Sequence, residues 1–579
     1  MDFALQAFNI LIGGEAGQGL VSIGNILIKA IAKTGWHLFA IQDYESRIRG
    51  GHNFIRIRVA NKPVFCGERA IDLLVALDDV SLSVHADELK EQAIVIYDPT
   101  LVEVPAAANY IGIKYAEVAA NLGQPAIMAN AAAAGAAWAL LSDDLIAVET
   151  VLSEVFKNKG QDIVDGNIQC ARAGFNIVRS RFNPQVQLEK PEQCESFMVI
   201  KGNEALPCGA LAAGLKFMSA YPMTPSTGVT EFIALHSEQC GVVMEQAEDE
   251  IAAVNMVIGA AFCGVRAMTA TSGGGFALMT EALGLAGSAE IPIVVIDAQR
   301  PGPSTGLPTR TEQGDLLFAV YGGSGDFPRA VLAPGDVEEA FYVMGTAFNL
   351  AEKYQMPVIV LSDQYLADSY QTVASLDPTK ITINRGDIVT ETESTVDYLR
   401  YRFTESGISP RLYPGVGEGL VVSAGDEHDE AGHLIEDAHI RTKMMQKRMQ
   451  KLNAAAAEAL EPVIYGNTKP ELMLIGWGST KGVIREAVDL LSAQGCAAMA
   501  IHLPQVYPLS TKLREYWEMP SKKVIIENNY SGQLQKLLSM ELSVTPDFWI
   551  RKYDGRPFFA QEIVDQLVGG EANGRKGEI

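Results

Sequence analysis

The spacing of apolar residues changes period repeatedly along this chain, and each change marks an element. In "FNILIGGEAGQGLVSIGNILIKAIAKTG" an apolar run enters Gly13, Gly14, Gly17 and Gly19, and a helical period through Leu20, Ile23, Leu27 and Ile31 follows. That segment reads as strand, glycine turn and helix. The runs "HNFIRIRVA", "IDLLVALDD" and "AIVIYDP" predict further strands. The period then fails in "RSRFNPQVQLEKPEQCESFMVIKGNEA", a polar, proline-bearing stretch that predicts a domain boundary. Beyond it, "VRAMTAT", "IPIVVIDA", "FPRAVLA" and "MPVIVLSDQ" read as buried strands, and "VEEAFYVMGTAFNLAEKY" as one of the helices between them. Residues 376–460 are polar and acidic and end in a long helical run, which predicts a connector lying on the surface. The last segment opens on "PELMLIGWGSTKGVIREAVDLLSAQGCAAMAIHLPQVYP", a βαβ pattern, and "KKVIIENNYSGQLQKLL" repeats strand, turn and helix. The expected architecture is a multi-domain α/β protein: 1–185, a linker at 186–201, a parallel-sheet domain at 202–380, a connector at 381–461 and a terminal α/β domain at 462–579.

Composition narrows the class. At roughly 150 residues per domain, 579 residues suggest three or four globular units. The Ala-rich run "ANAAAAGAAWALL" reads as close-packed helix. A net charge of −24 argues against a nucleic-acid backbone as partner. No apolar run approaches the ~18 residues of a membrane span, and the N-terminus has no basic region or cleavage site of a leader, so no membrane association is expected. Seven scattered cysteines without a CxxC give neither a disulfide framework nor a metal or cluster site in this chain. The simplest expectation is a cytoplasmic protein with buried free thiols.

Several constellations carry candidate chemistry. "YPMTPSTG" (Tyr221 to Gly228) breaks regular structure between two helical stretches and lines the break with hydroxyls. A surface turn and a substrate loop both fit. In "GGEAGQG", Gly14, Gly17, Gln18 and Gly19 precede a helix N-terminus, and Arg47 and Arg49 stand nearby in "YESRIRGGHN". A phosphate-bearing ligand and a tight structural turn fit equally well. The acids of "MEQAEDEIAAVNMVIGAAF" (Glu245, Glu248, Asp249 and Glu250) are expected to open a helix, where dipole compensation is the plain explanation. In "DAQRPGPSTGLPTRTEQGD", Arg300 ends a strand and Arg310 follows a Pro- and Gly-rich loop. The carboxyl edge of a sheet is where α/β ligand sites lie, and a guanidinium fork suits a carboxylate.

Taken in order, "GGEAGQG", "RGGHN", "YPMTPSTG", "MEQAEDE", "TATSGGGFALMTE", "QRPGPSTGLPTRTEQGD", "SDQYLADS", "IENNYSGQL" and "YDGRPF" resemble the α subunit of two-subunit 2-oxoacid:ferredoxin oxidoreductases. The form resembled carries the small γ domain ahead of a thiamine-diphosphate pyrimidine-type domain and a transketolase C-terminal-like domain. The likeness is greatest to the 2-oxoglutarate enzymes. It implies CoA-dependent, reversible oxidative decarboxylation of a 2-oxoacid to acyl-CoA (succinyl-CoA from 2-oxoglutarate) and CO2, with electrons passed to ferredoxin. It implies that the Thr224 hydroxyl hydrogen-bonds substrate and that Glu248 hydrogen-bonds the aminopyrimidine ring. Tyr221, Pro222 and Met223 would lie against thiamine diphosphate. Arg310 would grip the substrate carboxylate, with Arg300 and Ser226 also on the substrate side. Gly14, Gly17, Gln18, Gly19, Arg47 and Arg49 would serve coenzyme A.

The chain has Asn528 and Asn529 but no GDG upstream of them, and complete thiamine enzymes pair those two motifs to hold Mg2+ and diphosphate. The resemblance therefore implies half of an active site. A β subunit would anchor Mg2+ and the diphosphate and hold at least one [4Fe–4S] cluster, with a dimer of αβ pairs as the assembly. A pyruvate- or branched-chain-specific relative, and an assembly subunit without catalytic residues, remain as alternative readings.

Overall fold

The computed structural model of the chain describes residues 7–46, 50–104, 109–181, 188, 197–393 and 395–568. It divides into two compact units, Met1–Ile200 with Asp368–Ser375, and Lys201–Ala367 with Leu376–Ile579.

The first unit is built on an eight-stranded mixed sheet in the order Tyr110–Gly112, Leu89–Tyr97, Ile71–Ala76, Ala7–Ala16, Gly50–Ala60, His37–Asp43, Ser369–Val373 and Met198–Lys201. The apolar run before the glycine turn becomes its central strand, Ala7–Ala16, buried over nearly its whole length. That strand pairs antiparallel with Gly50–Ala60 and parallel with Ile71–Ala76. The alanine-rich run forms helix Ala129–Trp138 as expected, packed on helix Gln161–Arg181. Their backbones approach so closely that a Cβ on Gly135 would lie 2.1 Å from Ala171 O, and one on Gly174 2.0 Å from Ala132 O. Small side chains on both helices make that seam possible. Strand Ser369–Val373, expected within the second domain, instead pairs with His37–Asp43. Four or five residues of ordinary strand composition carry no local signal of which sheet they join.

The second unit carries a seven-stranded sheet in the order Gln505–Tyr507, Ala330–Leu332, Val358–Asp363, Val294–Gln299, Ala267–Thr271, Phe217–Ala220 and Val243–Gln246. All neighbours are parallel except the first pair. The inner strands Ala267–Thr271, Val294–Gln299 and Val358–Asp363 are buried at every position, as a sheet covered by helices on both faces requires. A five-stranded sheet follows, in the order Val463–Gly466, Ala498–Leu503, Leu472–Trp477, Lys522–Glu527 and Phe548–Arg551. The terminal segment does not stand apart. Its strand Gln505–Tyr507 extends the seven-stranded sheet, and one apolar core runs from Val254 and Phe276 through Trp477 to Leu537.

The stretch before that sheet is not the surface connector its polarity suggests. Tyr401 and Met444 are fully buried, and helix Ala438–Ala457 turns Lys447 and Lys451 inward. Both ammonium groups meet the buried Glu290, Lys447 Nζ at 2.6 Å from Oε1 and Lys451 on Oε2. Burial alone would raise the Glu290 carboxyl; Lys451, Lys447 and Arg400 outweigh it and hold it below its ordinary range. The charges of this helix therefore anchor it, whereas on an exposed helix they would be solvated. Glu290→Ala leaves two buried ammonium groups without their carboxylate. It should cost about 3–5 kcal/mol, read as a lower midpoint of chemical denaturation; an unchanged midpoint would show that the helix is held by packing alone.

Candidate active site

The parallel strands of the seven-stranded sheet end along one edge, and the segments singled out in the sequence leave from it in turn. Strand Phe217–Ala220 delivers Tyr221 to Gly228, and its neighbour Val243–Gln246 delivers Ala247 and Glu248. The register is fixed at the very end, where the Ala247 amide donates to Ala220 O at 3.1 Å. Ala267–Thr271 runs into Ser272 and Gly273, Val294–Gln299 into Arg300, and Val358–Asp363 into Gln364.

The Tyr221–Gly228 segment is a fixed turn. The Ser226 amide and hydroxyl both donate to Met223 O, at 2.9 and 2.7 Å. Asn203 Nδ2 donates to Pro225 O at 2.8 Å, and the Thr224–Pro225 peptide is cis. Helix Thr227–Cys240 follows and stops at Gly241, whose φ of 61° is left-handed. Ser226 is fully buried with its hydroxyl held inside the loop, so it shapes the turn. Thr224 is half-buried, and its hydroxyl has no protein partner among the described residues. Tyr221 is 40% exposed, Pro222 is exposed, and Met223 Sδ lies 4.0 Å from Thr271 Oγ1.

The acids do not all open one helix. Glu245 lies on the strand, Glu248 follows it, and Asp249 is the N-cap of helix Glu250–Phe262, accepting from the Ala252 amide at 2.7 Å. Glu250 is buried. Glu248 is exposed and makes no hydrogen bond or ion pair among the described residues. Dipole compensation thus accounts for Asp249 and leaves Glu248 available.

Arg300 reaches back across the edge. Its Nη1 donates to Thr224 O at 2.7 Å, so it holds the loop. Beneath it lies a floor of buried polar groups. Among the described residues, the Ser272 hydroxyl, Glu250 Oε1, both carboxylate oxygens of Asp297 and Asp315 Oδ2 have no hydrogen-bond partner. Burial, with the charge of Asp315, pushes Asp297 well above the usual carboxylate range. Burial pushes Asp315 up to about 6 against the pull of Arg300, and Glu312 up to about 7 with Asp315 adding.

Gln313, which sequence reasoning passed over, ties this region to the terminal segment. Fully buried, its backbone amide donates to Asn528 O at 2.7 Å, its side-chain Nε2 donates to Trp477 O at 2.8 Å, and its Oε1 accepts from the Asn528 amide at 3.0 Å. Asn529 Nδ2 donates to Gln313 O at 3.1 Å, and Gln533 Nε2 to Gly314 O at 2.5 Å. The Asn pair that evokes a metal motif therefore grips a loop. Among the described residues, no cluster of three or more His, Cys, Asp and Glu could hold a metal. "YDGRPF" packs there too: a Cβ on Gly555, at φ 74°, would lie 3.2 Å from Arg310 Cβ. Only the motif "IENNYSGQL" hinted at the clamp, because an isolated buried glutamine has no periodic signature.

In the first unit, Gly17 and Gly19 take left-handed φ of 95° and 87°, and Glu15 N donates to Gln18 Oε1 at 2.8 Å. A Cβ on Gly14 would lie 2.7 Å from Gln18 Oε1, and one on Gly19 2.0 Å from Asn130 Nδ2. The turn needs its glycines for conformation and packing, whatever it binds. Arg47 and Arg49 lie outside the described residues. Among the cysteines, Cys66 and Cys170 are buried, but Cys263 is exposed. No described helix is long and apolar enough to cross a membrane.

Comparison with known proteins places this edge in a class. Residues 208–447 match the family described as pyruvate flavodoxin/ferredoxin oxidoreductase, thiamine diphosphate-binding, and residues 9–177 match pyruvate ferredoxin/flavodoxin oxidoreductase. The protein is thus an oxidoreductase chain with a thiamine-diphosphate-binding domain. A 2-oxoacid:ferredoxin oxidoreductase subunit alpha from Sulfolobus sp is 34% identical over 98% of this chain and 97% of its own. The 2-oxoglutarate oxidoreductase subunit KorA of Mycobacterium tuberculosis is 30% identical over 99% and 93%. The solved 2-oxoglutarate:ferredoxin oxidoreductase of Magnetococcus marinus, with 2-oxoglutarate, coenzyme A and succinyl-CoA bound, superposes with a TM-score of 0.92, at 32% identity, over 98% of this chain and 100% of that one. The chain belongs to the family of 2-oxoacid:ferredoxin oxidoreductase α subunits.

Gln313→Leu should orphan Trp477 O and the Asn528 amide. At about 1–3 kcal/mol for each buried group left unpaired, thermal unfolding should shift down by several degrees, and a protease should reach the 300–315 loop sooner. Unchanged unfolding and cleavage would show that the clamp contributes nothing.

Proposed function

We propose that this chain is the catalytic α subunit of a 2-oxoglutarate:ferredoxin oxidoreductase, forming succinyl-CoA and CO2 and reducing ferredoxin, reversibly. The observation that carries the reading is the placement of Thr224 and Glu248. They follow the ends of two adjacent parallel strands, and neither side chain's polar atoms are engaged among the described residues. The second carboxylate of 2-oxoglutarate requires a further contact, which we assign to the partner. The relatives from Mycobacterium tuberculosis and Magnetococcus marinus are named for 2-oxoglutarate, which favours that substrate over pyruvate or a branched-chain 2-oxoacid.

The residues at the edge fit thiamine diphosphate. An exposed carboxylate without a partner suits a ring nitrogen that needs an acceptor, and the open face beside Tyr221 suits a planar ring. Bound there, the cofactor supplies a carbon nucleophile and an electron sink. Glu248 accepts a hydrogen bond from the pyrimidine ring and so holds the proton balance at that nitrogen. Thr224 donates its hydroxyl to a substrate oxygen. Its loop is already fixed by Ser226, Asn203 and Arg300, so little ordering remains when substrate arrives. Arg310 binds the substrate carboxylate. The apolar residues Tyr221, after the end of one strand, and Ile251, in the first turn of helix Glu250–Phe262, are each at least 40% exposed and suit cover by a second chain. That β subunit would hold Mg2+, the diphosphate and a [4Fe–4S] cluster, pair as a dimer of αβ units and pass electrons to ferredoxin in the cytoplasm. Coenzyme A would meet the Gly14–Gly19 turn of the first unit.

The reading is tested by purifying the chain with its partner and following ferredoxin reduction across several 2-oxoacids with coenzyme A. Thr224→Ala and Glu248→Gln should each lower kcat by about 10²–10⁴-fold with secondary structure intact; turnover at the parental rate would leave only an architectural subunit. Arg310→Ala should raise KM for the 2-oxoacid, a loss of about 2–5 kcal/mol, and leave KM for coenzyme A in place.

A further inference from the structure

The segment before the terminal sheet brings two further cations into the interior. Arg400 and Arg411 are each 4% exposed. Arg400 Nη1 donates to Gln355 Oε1 at 2.9 Å, and its Nη2 donates to Glu290 O at 2.8 Å. Arg411 Nη2 donates to Ala261 O at 3.2 Å, and its Nη1 is buried with no hydrogen-bond partner among the described residues. Both arginines line one small cavity, whose wall also includes Ala261, Glu290 and Pro292. Each guanidinium bonds to a residue of that wall, so both charged ends stand at the cavity. Its volume is about 10 Å³, room for a single guest of about the size of a water molecule.

The charges around this cavity do not balance. Glu290 already has Lys447 on one carboxylate oxygen and Lys451 on the other. Glu352, the carboxylate that acts on Arg411, is held by Arg266 and Arg385, each at 2.8 Å. The acceptors that Arg400 and Arg411 reach, Gln355 Oε1, Glu290 O and Ala261 O, are uncharged. Arg411 also lies over the Tyr413 ring, 5.2 Å from its centroid, and the carbonyl end of helix Glu250–Phe262 carries only a fraction of a charge. Burial, with Arg400 adding, lowers Arg411 to about 10, so it stays charged at neutral pH. Burial, with Lys447 adding, lowers Lys451 to about 7 against the pull of Glu290. A proton lost there eases the surroundings of Glu290 and leaves both guanidinium groups charged.

We propose that the cavity binds one monatomic anion, chloride in charge and size, between Arg400 and Arg411. A water satisfies the free Nη1 but brings no charge, and buried guanidinium groups without a counter-charge are costly. A monatomic anion supplies both the missing acceptor and the missing charge in a space too small for sulfate or phosphate. It ties the segment bearing Arg400 and Arg411 to the end of helix Glu250–Phe262 at Ala261, and to Glu290 and Pro292, which lead into strand Val294–Gln299. The ion thus braces, from its far end, the helix that begins beside Glu248.

Thermal unfolding of the full chain with its partner, followed while sodium gluconate is exchanged stepwise for sodium chloride or bromide at constant ionic strength, reads the site directly. Gluconate is too large for the cavity. The midpoint should rise by several degrees and then saturate, as filling of one site requires. Arg411→Gln should lose that rise, whatever its own midpoint. Arg441→Gln, at an exposed arginine paired with Glu427, should keep it. Crystals grown in bromide should show an anomalous peak against Arg411 Nη1 in the parent and none there in Arg411→Gln. If Arg411→Gln does not fold, the parent decides: a saturating rise together with the bromide peak carries the proposal. No halide dependence, a water in place of bromide, or a rise that Arg411→Gln retains overturns it. A bromide peak without halide dependence marks an ion bound at crystal concentration only, and overturns it as well.

Discussion

The hydrogen bond from the Ala247 amide to Ala220 O is short and ordinary, yet the candidate site depends on it. It closes the last rung between two parallel strands, so both chains leave the sheet at the same height. The hydroxyl loop and the carboxylate of Glu248 become neighbours through that rung, although 24 positions in the sequence separate Thr224 from Glu248. A slip of one residue would turn every side chain of strand Val243–Gln246 to the opposite face and would carry Glu248 away from the edge. Placement at the candidate site is a matter of strand register before it is a matter of loop chemistry.

Around that edge the chain combines rigid supports with groups left unsatisfied. Ser226, Asn203 and Arg300 hold the loop; Gln313, Asn528 and Asn529 hold the loop beyond it. The terminal segment is therefore structural in a specific sense: its two glycine-turn motifs reach the candidate site as braces. Near these braces, Asp297, Asp315, Ser272 and Glu250 keep buried polar atoms without partners among the described residues. Stability would favour their removal, and a site under functional constraint is where such a conflict persists.

The sequence made the alternating architecture legible because its strands are long apolar runs between glycine turns, as at Phe8–Ile12 and Ile293–Ile296. The edge position of Arg300 was legible for the same reason, since it follows a recognisable strand; Thr224 was expected between two helical stretches and instead follows strand Phe217–Ala220. Three things were hidden. Strand Ser369–Val373 joins the first unit through pairing with His37–Asp43, and no local pattern encodes a partner so distant. Helix Ala438–Ala457 looks solvated because Lys447 and Lys451 look solvated, and only Glu290, brought close by folding, makes them interior. Ser226 and Thr224 differ by two positions in one motif, and backbone geometry alone decides which hydroxyl faces inward.

Among the described residues, strand Val243–Gln246 is the last in its sheet, so one row of its amides and carbonyls is left without a neighbouring strand. An open row of this kind invites any extended segment to add itself, a second copy of the chain included. The strand limits the hazard by spanning only four residues and by carrying the exposed Glu245, since two copies meeting there would bring like charges together. A chain made without whatever normally covers this edge would rely on the shortness of the strand and on the charge of Glu245 to hold it from pairing with itself.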